Sequence, residues 1–458
     1  MRSACAAFLA AAVTAAPVVG SAQAAPVAPA DAQAAPAPEK LAPPKVSITP
    51  YGFILVQSWW NDGPFAARDQ PFQVLQNHDG GSYLISARGT RFGFKIGLPD
   101  DPFTGAQLSG VIEGDFKGGF IPGTSVTSTC TTTGTSFTNL KTTCTNTSVA
   151  ANGTAWYNGI FRLRLGYITA SWGDASSRFS LVLGQDWRIV APLAPTSIAF
   201  GYDQMFTQAG NLNQRDPQLK AVYDAAPGDL GVNVSAAILT PQDTAAIFSS
   251  GAVPDYDAGN RSRMPNIEGR LAGYLKSGTK KVAEVGIAGA VGWRRYDNTA
   301  NPNVTVDTTT RLAALDAVFN LPYLTVQGEG YVSDGMEDSY SGLLGSAVVL
   351  TSNTANQLVS ITNLQSQGYW AQAVVKPTAF IQIPVGYGMA QVRYQGLPAS
   401  FLASSQRLRN SEFHTGVLFN MSSPWKFGLE FTHTNSGYAN NLGAAQAEQF
   451  VLASKLDF

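Results

Sequence analysis

Short segments in which large apolar side chains alternate with charged ones recur along this chain, and that pattern leaves few folds open. In residues 90–98, Phe92, Phe94, Ile96 and Leu98 alternate with Arg91, Gly93, Lys95 and Gly97. In 108–117, Leu108, Gly110, Ile112, Gly114 and Phe116 alternate with Ser109, Val111, Glu113, Asp115 and Lys117. Phe161, Leu163, Leu165 and Tyr167 alternate with Arg162, Arg164 and Gly166, and Trp425, Phe427, Leu429 and Phe431 with Lys426, Gly428 and Glu430. A two-residue period sends the two sets to opposite faces of a strand. A packed soluble core would reject the ionic face, and a charge turned to lipid at mid-depth costs roughly 2–4 kcal/mol. The pattern therefore predicts an all-β fold, a transmembrane antiparallel β-barrel with lipid outside and water inside.

Strand patterning begins at Val46 and runs to the C-terminus. It predicts strands at 46–60, 82–98, 106–117, 159–172, 178–187, 217–225, 230–240, 263–276, 282–296, 309–319, 322–333, 367–376, 381–397, 409–420, 425–436 and 446–458. That is about sixteen, an even number as bacterial barrels require. The links between them alternate long and short. Long or medium links (61–81, 118–158, 188–216, 241–262, 297–308, 334–366, 398–408, 437–445) face short ones that carry turn chemistry, such as Pro227-Gly228-Asp229 and Ser277-Gly278. External loops and periplasmic turns give that alternation, and an even strand count puts both ends of residues 46–458 on the short-turn side. The last strand ends on Phe458, an aromatic suited to the lipid interface.

Composition agrees. Charged residues are 13%, about half the usual soluble share, beside 45 glycines and 10% aromatics. The net charge of −1 offers no basic field for nucleic acid. No segment supplies about 18 uninterrupted apolar residues, which excludes a spanning helix. Residues 1–24 read as a signal peptide, with Arg2, an apolar run to Val19 and Ala22-Gln23-Ala24 as the cleavage motif. Residues 25–45 are Ala/Pro-rich and read as an extended periplasmic tether. Cys5 falls in the signal. Cys130 and Cys144 remain in a Thr/Ser-rich stretch, and in an oxidising compartment they are expected to pair and pin a loop, a metal site being the weaker reading.

The eight tryptophans, Trp59, Trp60, Trp156, Trp172, Trp187, Trp293, Trp370 and Trp425, fall near the ends of the expected strands, as an aromatic girdle would. A barrel hydrolase would need a placed histidine, and only His78, His414 and His433 exist. They read as polar filling. A surface-binding barrel working through the Thr-rich loop 124–149 is the other rival. No motif for a cofactor or a nucleic acid appears, and none is expected.

The segments SARGTRFGFKIG (86–97), GVIEGDFKGG (110–119), FRLRLGYITASWG (161–173) and LVLGQDWRIVAPLAP (181–195), in that order, resemble the bacterial outer-membrane porins, nearest the DcaP-like group. The resemblance covers roughly residues 82–225. It implies a sixteen-stranded homotrimer in the outer membrane, passing small hydrophilic and often anionic organic solutes. By motif position it carries over Arg88, Arg91, Glu113, Asp115, Arg162 and Arg164 as pore residues, and Lys95 shares their face. Residues 188–216 follow the fifth strand, where such porins fold a loop inward. That segment is too apolar for an exposed loop, so it is expected to line the constriction and to offer Arg188, Tyr202, Asp203 and Arg215 to the pore, an external lid being the alternative. One departure stands out. Relatives can carry a helical N-terminal extension, and here there is only the Pro/Ala tether.

Overall fold

The computed structural model describes residues 46–67, 69–76, 80–118, 127–133, 141–147, 159–198, 204–241, 257–298, 301–344, 347–352, 358–393, 407–422, 424–439 and 443–458, for some of these the backbone alone. The expected signal peptide and tether, His78, Trp156, Tyr202 and Asp203 lie outside the described residues. Strands dominate. The wall opens with β1 (Ser47–Asn61), and β2 follows in two pieces, Ser82–Ser86 and Arg91–Gly97. Both pieces pair with β1, so they are one strand interrupted at 87–90. Next come β3 (Gln107–Asp115), β4 (Arg162–Gly173), β5 (Ser177–Trp187), β6 (Arg215–Ala225) and β7 (Leu230–Leu239). The far side holds β8 (Asn266–Ser277), β9 (Lys280–Asn298), β10 (Asn301–Asn320), β11 (Leu324–Asp334) and β12 (Gln365–Thr378). The wall ends with β13 (Ile381–Val392), β14 (Arg407–Ser422), β15 (Trp425–Tyr438) and β16 (Ala444–Asp457).

Each strand pairs antiparallel with its sequence neighbours, and β16 returns to β1 from Phe53↔Asp457 to Asn61↔Gln449. The result is a closed sixteen-stranded barrel. Gly52 and Phe458 complete the seam, each N–H donating to the other's carbonyl at 3.0 Å. Closure matters because a spanning sheet has no water to satisfy an open edge. The expected strands map onto these sixteen in order. One link is an exception: the medium connection expected at 297–308 is almost all strand, since β9 and β10 run on past the wall as a long hairpin and leave two residues between them.

The outward rows are apolar, with Ile287, Leu315, Leu271 and Leu429 all exposed in the isolated chain. A belt of that kind needs a hydrocarbon solvent. Among the described residues no helix is long and apolar enough to cross a membrane. The inward rows are polar: Asn410, Glu412 and His414 on β14 face the lumen, as do Glu430, Thr432, Thr434 and Ser436 on β15. The expected girdle is only partial. Trp60 and Trp425 are outward and about half exposed, whereas Trp59 and Trp370 are fully buried on inward rows. Strand parity, not closeness to an end, decides the face. Trp370 Nε1 donates to Glu329 at 2.9 Å and its ring stacks on Phe206, so it fills the lumen.

A small hairpin, Phe65–Ala67 with Gln70–Val74, leaves β1 and folds over the inner face of the last strands. Asn410 Nδ2 donates to the Phe72 carbonyl, Val74 N–H donates to Ser436 Oγ, and Tyr438 OH donates to the Val74 carbonyl. Asp69 at its tip pairs with Arg88 and Lys117. Burial pushes that carboxyl up, but the two cations more than offset it and hold it below the usual carboxylate range.

The outward face gives a direct test. Leu271→Arg puts a guanidinium in the middle of β8 facing lipid, and should cost roughly 2–4 kcal/mol in a reversible denaturant titration in bilayers. An unchanged midpoint would contradict the lipid assignment of that face.

Candidate functional site

The segment between β5 and β6 runs inside the barrel, so its backbone has no strand to pair with. The wall supplies side-chain acceptors instead. Ile189 N–H donates to Glu268 on β8, Leu193 N–H to Glu329 on β11, and Thr196 N–H to Gln372 on β12. Ile198 N–H and Ser197 Oγ donate to Glu430 on β15, and Phe206 N–H reaches Glu412 on β14. In return Gln327 and Gln372 donate amide hydrogens to the Ala194 and Thr196 carbonyls. Buried backbone groups must be partnered. Five wall strands share that task here.

Small residues let the segment lie close. A β-carbon placed on Gly388 would sit 2.2 Å from the Ala209 carbonyl oxygen, and one on Gly428 would sit 2.5 Å from Ile198. Phe206 packs against Trp370 with Met205 and Ala209. A second inward segment braces the first. The single turn Glu337–Ser339 and its flanks pack Met336 and Tyr340 against Val190 and Leu212, and Gln208 N–H donates to the Ser341 carbonyl at 3.1 Å. Arg188 is buried at the start of the inserted segment, paired with Asp216 and lying 3.6 Å from Glu268, with its guanidinium 4.3 Å from the Tyr340 ring centroid. Arg188 therefore anchors the segment.

Opposite the segment stands a wall of ion pairs. Arg162 grips Asp115 with two hydrogen bonds, at 3.1 and 2.7 Å. Arg164 spans Glu113 at 3.0 Å and Asp115 at 2.9 Å. Arg91 Nε lies 3.5 Å from Glu113, whose other oxygen accepts from Tyr51 OH. A register shift between Glu113 and Gly114 makes this layout possible. The bulge brings Arg162 and Arg164 to the same carboxylate, and beyond it the parity of β4 reverses. Leu165 and Tyr167, expected on the apolar face, therefore stand opposite the inward Glu113 and Val111, and Ile168 takes the outward position.

Between wall and segment lies a cavity of about 610 Å³. Arg91, Arg164, Lys220 and Arg270 bound it on the wall side, and Ala191, Pro192, Pro195 and Met205 face them from the segment. Its lining carries Arg188 as a fifth cation, against Asp186 as the one carboxylate among the described lining residues. These ion pairs are buried on both sides: Glu113, Asp115 and Asp316 are almost fully buried, and so are Arg164, Arg188 and Arg270, which leaves Arg91 and Lys220 as the more exposed cations of the lining. Arg270 holds Asp316 at 2.6 Å and Glu284 at 2.8 Å, and Lys220 pairs with Asp186.

The structure gathers Arg91, Arg162, Arg164, Glu113 and Asp115 into one cluster. Arg88 is bound to Asp69 below the first hairpin, apart from the cavity lining. Lys95 lies further along the inward row of β2, with its ammonium 5.1 Å from the Tyr51 ring centroid. Arg215 is a correction. It belongs to β6, not to the inserted segment, on the same outward row as Leu219, with its guanidinium 4.6 Å from the Trp187 ring centroid. Asp216, one residue on, takes the inward place. Cys130 and Cys144 stand directly opposite each other in the register of a hairpin, Thr127–Thr133 with Lys141–Thr147. His414 faces inward beside Phe206, whereas His433 shares the outward parity of Phe431. Sequence reasoning missed Lys220, Arg270 and Glu329. Their signal was present, since QLKAVYD, EGRLAGY and QGEGYV set Lys220, Arg270 and Glu329 among small and apolar neighbours.

No family model matches the chain, and no curated protein matches it in sequence. Solved structures do match in shape. The outer membrane channel DcaP of Acinetobacter baumannii superposes with a TM-score of 0.64 at 15% identity, over 90% of this chain and 97% of that one. The fold is that of the porins. An anion-selective porin from Comamonas acidovorans covers 90% of this chain and 100% of its own, with a TM-score of 0.50 at 12% identity. At these identities the porin fold is what is shared, and the inward segment after β5 and the ion-paired wall are described here on this chain's own residues.

Two variants probe the arrangement. Gly388→Val should push the inserted segment off the wall, so that protease added to the folded protein cuts within 204–214; continued resistance would contradict the close contact. Asp115→Ala strips a shared carboxylate from the buried Arg164 and the half-buried Arg162 and should cost roughly 3 kcal/mol, read as a lower denaturant midpoint.

Proposed function

We propose that this chain is an outer-membrane porin, a passive diffusion channel for small hydrophilic solutes with a preference for anions. The observation that carries the reading is the cavity beside the inserted segment, whose described lining holds five cations against one carboxylate, with Arg91 and Lys220 the most exposed of the five. Charged side chains at a narrow point set selectivity by attracting one sign of ion and repelling the other. Glu113, Asp115 and Asp316 keep the buried arginines paired, which leaves Arg91 and Lys220 as the cations a passing solute would meet. Residues 1–24 would direct export and be removed, three copies would assemble, and outer-membrane lipid would cover the apolar belt. One feature favours the rival, a plugged surface-binding barrel: the first hairpin and the 336–344 segment both fold inward and narrow the lumen.

Planar-bilayer recording of the purified protein under a KCl gradient separates the two. A channel gives stable conductance, in groups of three equal steps for a trimer, with a reversal potential on the chloride side. Lys220→Gln combined with Arg91→Gln should move that potential toward potassium. An unmoved potential would remove these cations from the selectivity site, and silence from a folded barrel would favour the plugged reading.

A further inference from the structure

Three arginines stand on the outside of the barrel where the apolar belt ends, and the channel reading uses none of them. Arg311 lies on β10, Arg393 one residue past β13, and Arg409 on β14, all at the long-link end and all exposed. Each belongs to an outward row. Arg311 continues the row of Leu315, Arg393 that of Tyr387, and Arg409 stands opposite Gln391 in the register. Pairing brings Arg311, Asp334, Gln365 and Arg393 into line across four strands. Leu312 pairs with Ser333, Asp334 with Gln365, and Arg393 N–H donates to the Gln365 carbonyl at 2.8 Å. Arg311 and Arg393 are therefore three strand spacings apart, roughly 14 Å. Between them lies a hollow of about 300 Å³, which both line together with Val332, Asp334 and Gln365. Arg409 is the diagonal neighbour of Arg393, roughly 7–8 Å away.

The chain gives these cations little in return. Among the described residues none of the three has an ion pair, and Arg393 donates one hydrogen bond, to Gln367 at 3.2 Å. Asp334 is the one carboxylate in the described lining, and it pairs with neither arginine. Glu337 and Asp338, in the link after β11, are buried on the inward side, and residues 394–406 contain no charged side chain. Below the row Val332, Tyr369 and Tyr387 face outward, 37 to 47% exposed, with the tyrosine ring centroids 6.4 Å apart. Tyrosine marks the headgroup level, and an arginine facing lipid costs roughly 2–4 kcal/mol at mid-depth but about 0–1 near the interface. The arginines thus stand where the phosphates of a leaflet lie. A second copy of this chain matches them poorly. The other outward carboxylates described at this end of β9 to β16 are Asp307, gripped by Arg295 at 2.7 Å, and Glu448, beside His433. Arginine favours phosphate because its planar fork can donate two parallel hydrogen bonds. One phosphate cannot reach both rims of the hollow, whereas two phosphates at opposite ends of a disaccharide can, and the sugar hydroxyls between them can donate to Asp334 and Gln365.

We propose that this row binds a glycolipid whose headgroup is a disaccharide with a phosphate at each end, one phosphate on Arg311 and the other on Arg393 and Arg409, its acyl chains running down over Val332 and Tyr369. The proposal rests on the membrane-spanning part of the function reading and not on conductance. Native mass spectrometry of the purified full-length protein in detergent, titrated with diphosphoryl or monophosphoryl lipid A, tests it. The native protein should bind one diphosphoryl lipid A, and Arg311→Gln and Arg393→Gln should each weaken that binding about fivefold. The monophosphoryl form should bind the native protein about fivefold more weakly than the diphosphoryl form. Equal affinity of the native protein and both variants for diphosphoryl lipid A would overturn the site. Equal affinity of the native protein for the two forms would also overturn it, by reducing the contact to acyl chains on the belt. A smaller oligomer in the variants, with lipid affinity unchanged, would make the row a subunit contact instead. Each substitution is read by itself, so either carries the comparison if the other variant does not fold. Absence of current in bilayers would count against the channel and leave this readout standing.

Discussion

A backbone N–H inside a barrel has to find an acceptor, and most of this structure follows from how that need is met. In the wall the neighbouring strand supplies it, all the way round and across the β1–β16 seam. In the inserted segment no strand is in reach, and the acceptors are Glu268, Glu329, Gln372, Glu412 and Glu430, spread over β8 to β15. These side chains fix the path of the segment across the lumen. That path decides which wall is left bare, and the bare wall is the one with the arginines.

Charge placement and strand geometry are coupled at one point. Without the register shift at Glu113/Gly114, Arg162 and Arg164 would follow simple alternation along β4. With it, both guanidinium groups converge on Asp115, and Arg164 also reaches Glu113. The pairing holds several charges in a nearly dry place, and the cluster is rigid because each carboxylate has more than one partner. In the proposed channel, such a rigid cluster would keep a fixed field beside the cavity.

Much of the fold was legible in the sequence, because a two-residue period and an alternation of link lengths are local signals. The sixteen expected strands are the sixteen found. The site was partly legible. Arg91, Glu113, Asp115, Arg162 and Arg164 could be read off alternating faces, whereas Leu165 and Tyr167 could not, since a bulge reverses parity without leaving a mark in composition. Arg215 reads as loop when the strand is expected to begin two residues later; carrying the row of Pro217 and Leu219 back by one period puts Arg215 on the outward face. The tryptophans show the limit of reasoning from position along a strand: Trp370 lies inward because Glu329 and Phe206 await it there. Lys220 and Arg270 needed the third dimension, as only the closed wall brings β6 and β8 to one cavity with β2 and β4.

The first hairpin has a consequence for the order of assembly. Its contacts go to β14 and β15, so Val74 waits for Ser436, which is made 362 residues later. Contacts so distant in sequence form late, because the loop they close is nearly the whole chain. The piece of chain that leaves the first strand therefore shares its timing with the β1–β16 seam, whose pairs are as distant in sequence, and this mouth of the barrel takes its final shape only once both ends of the wall are together.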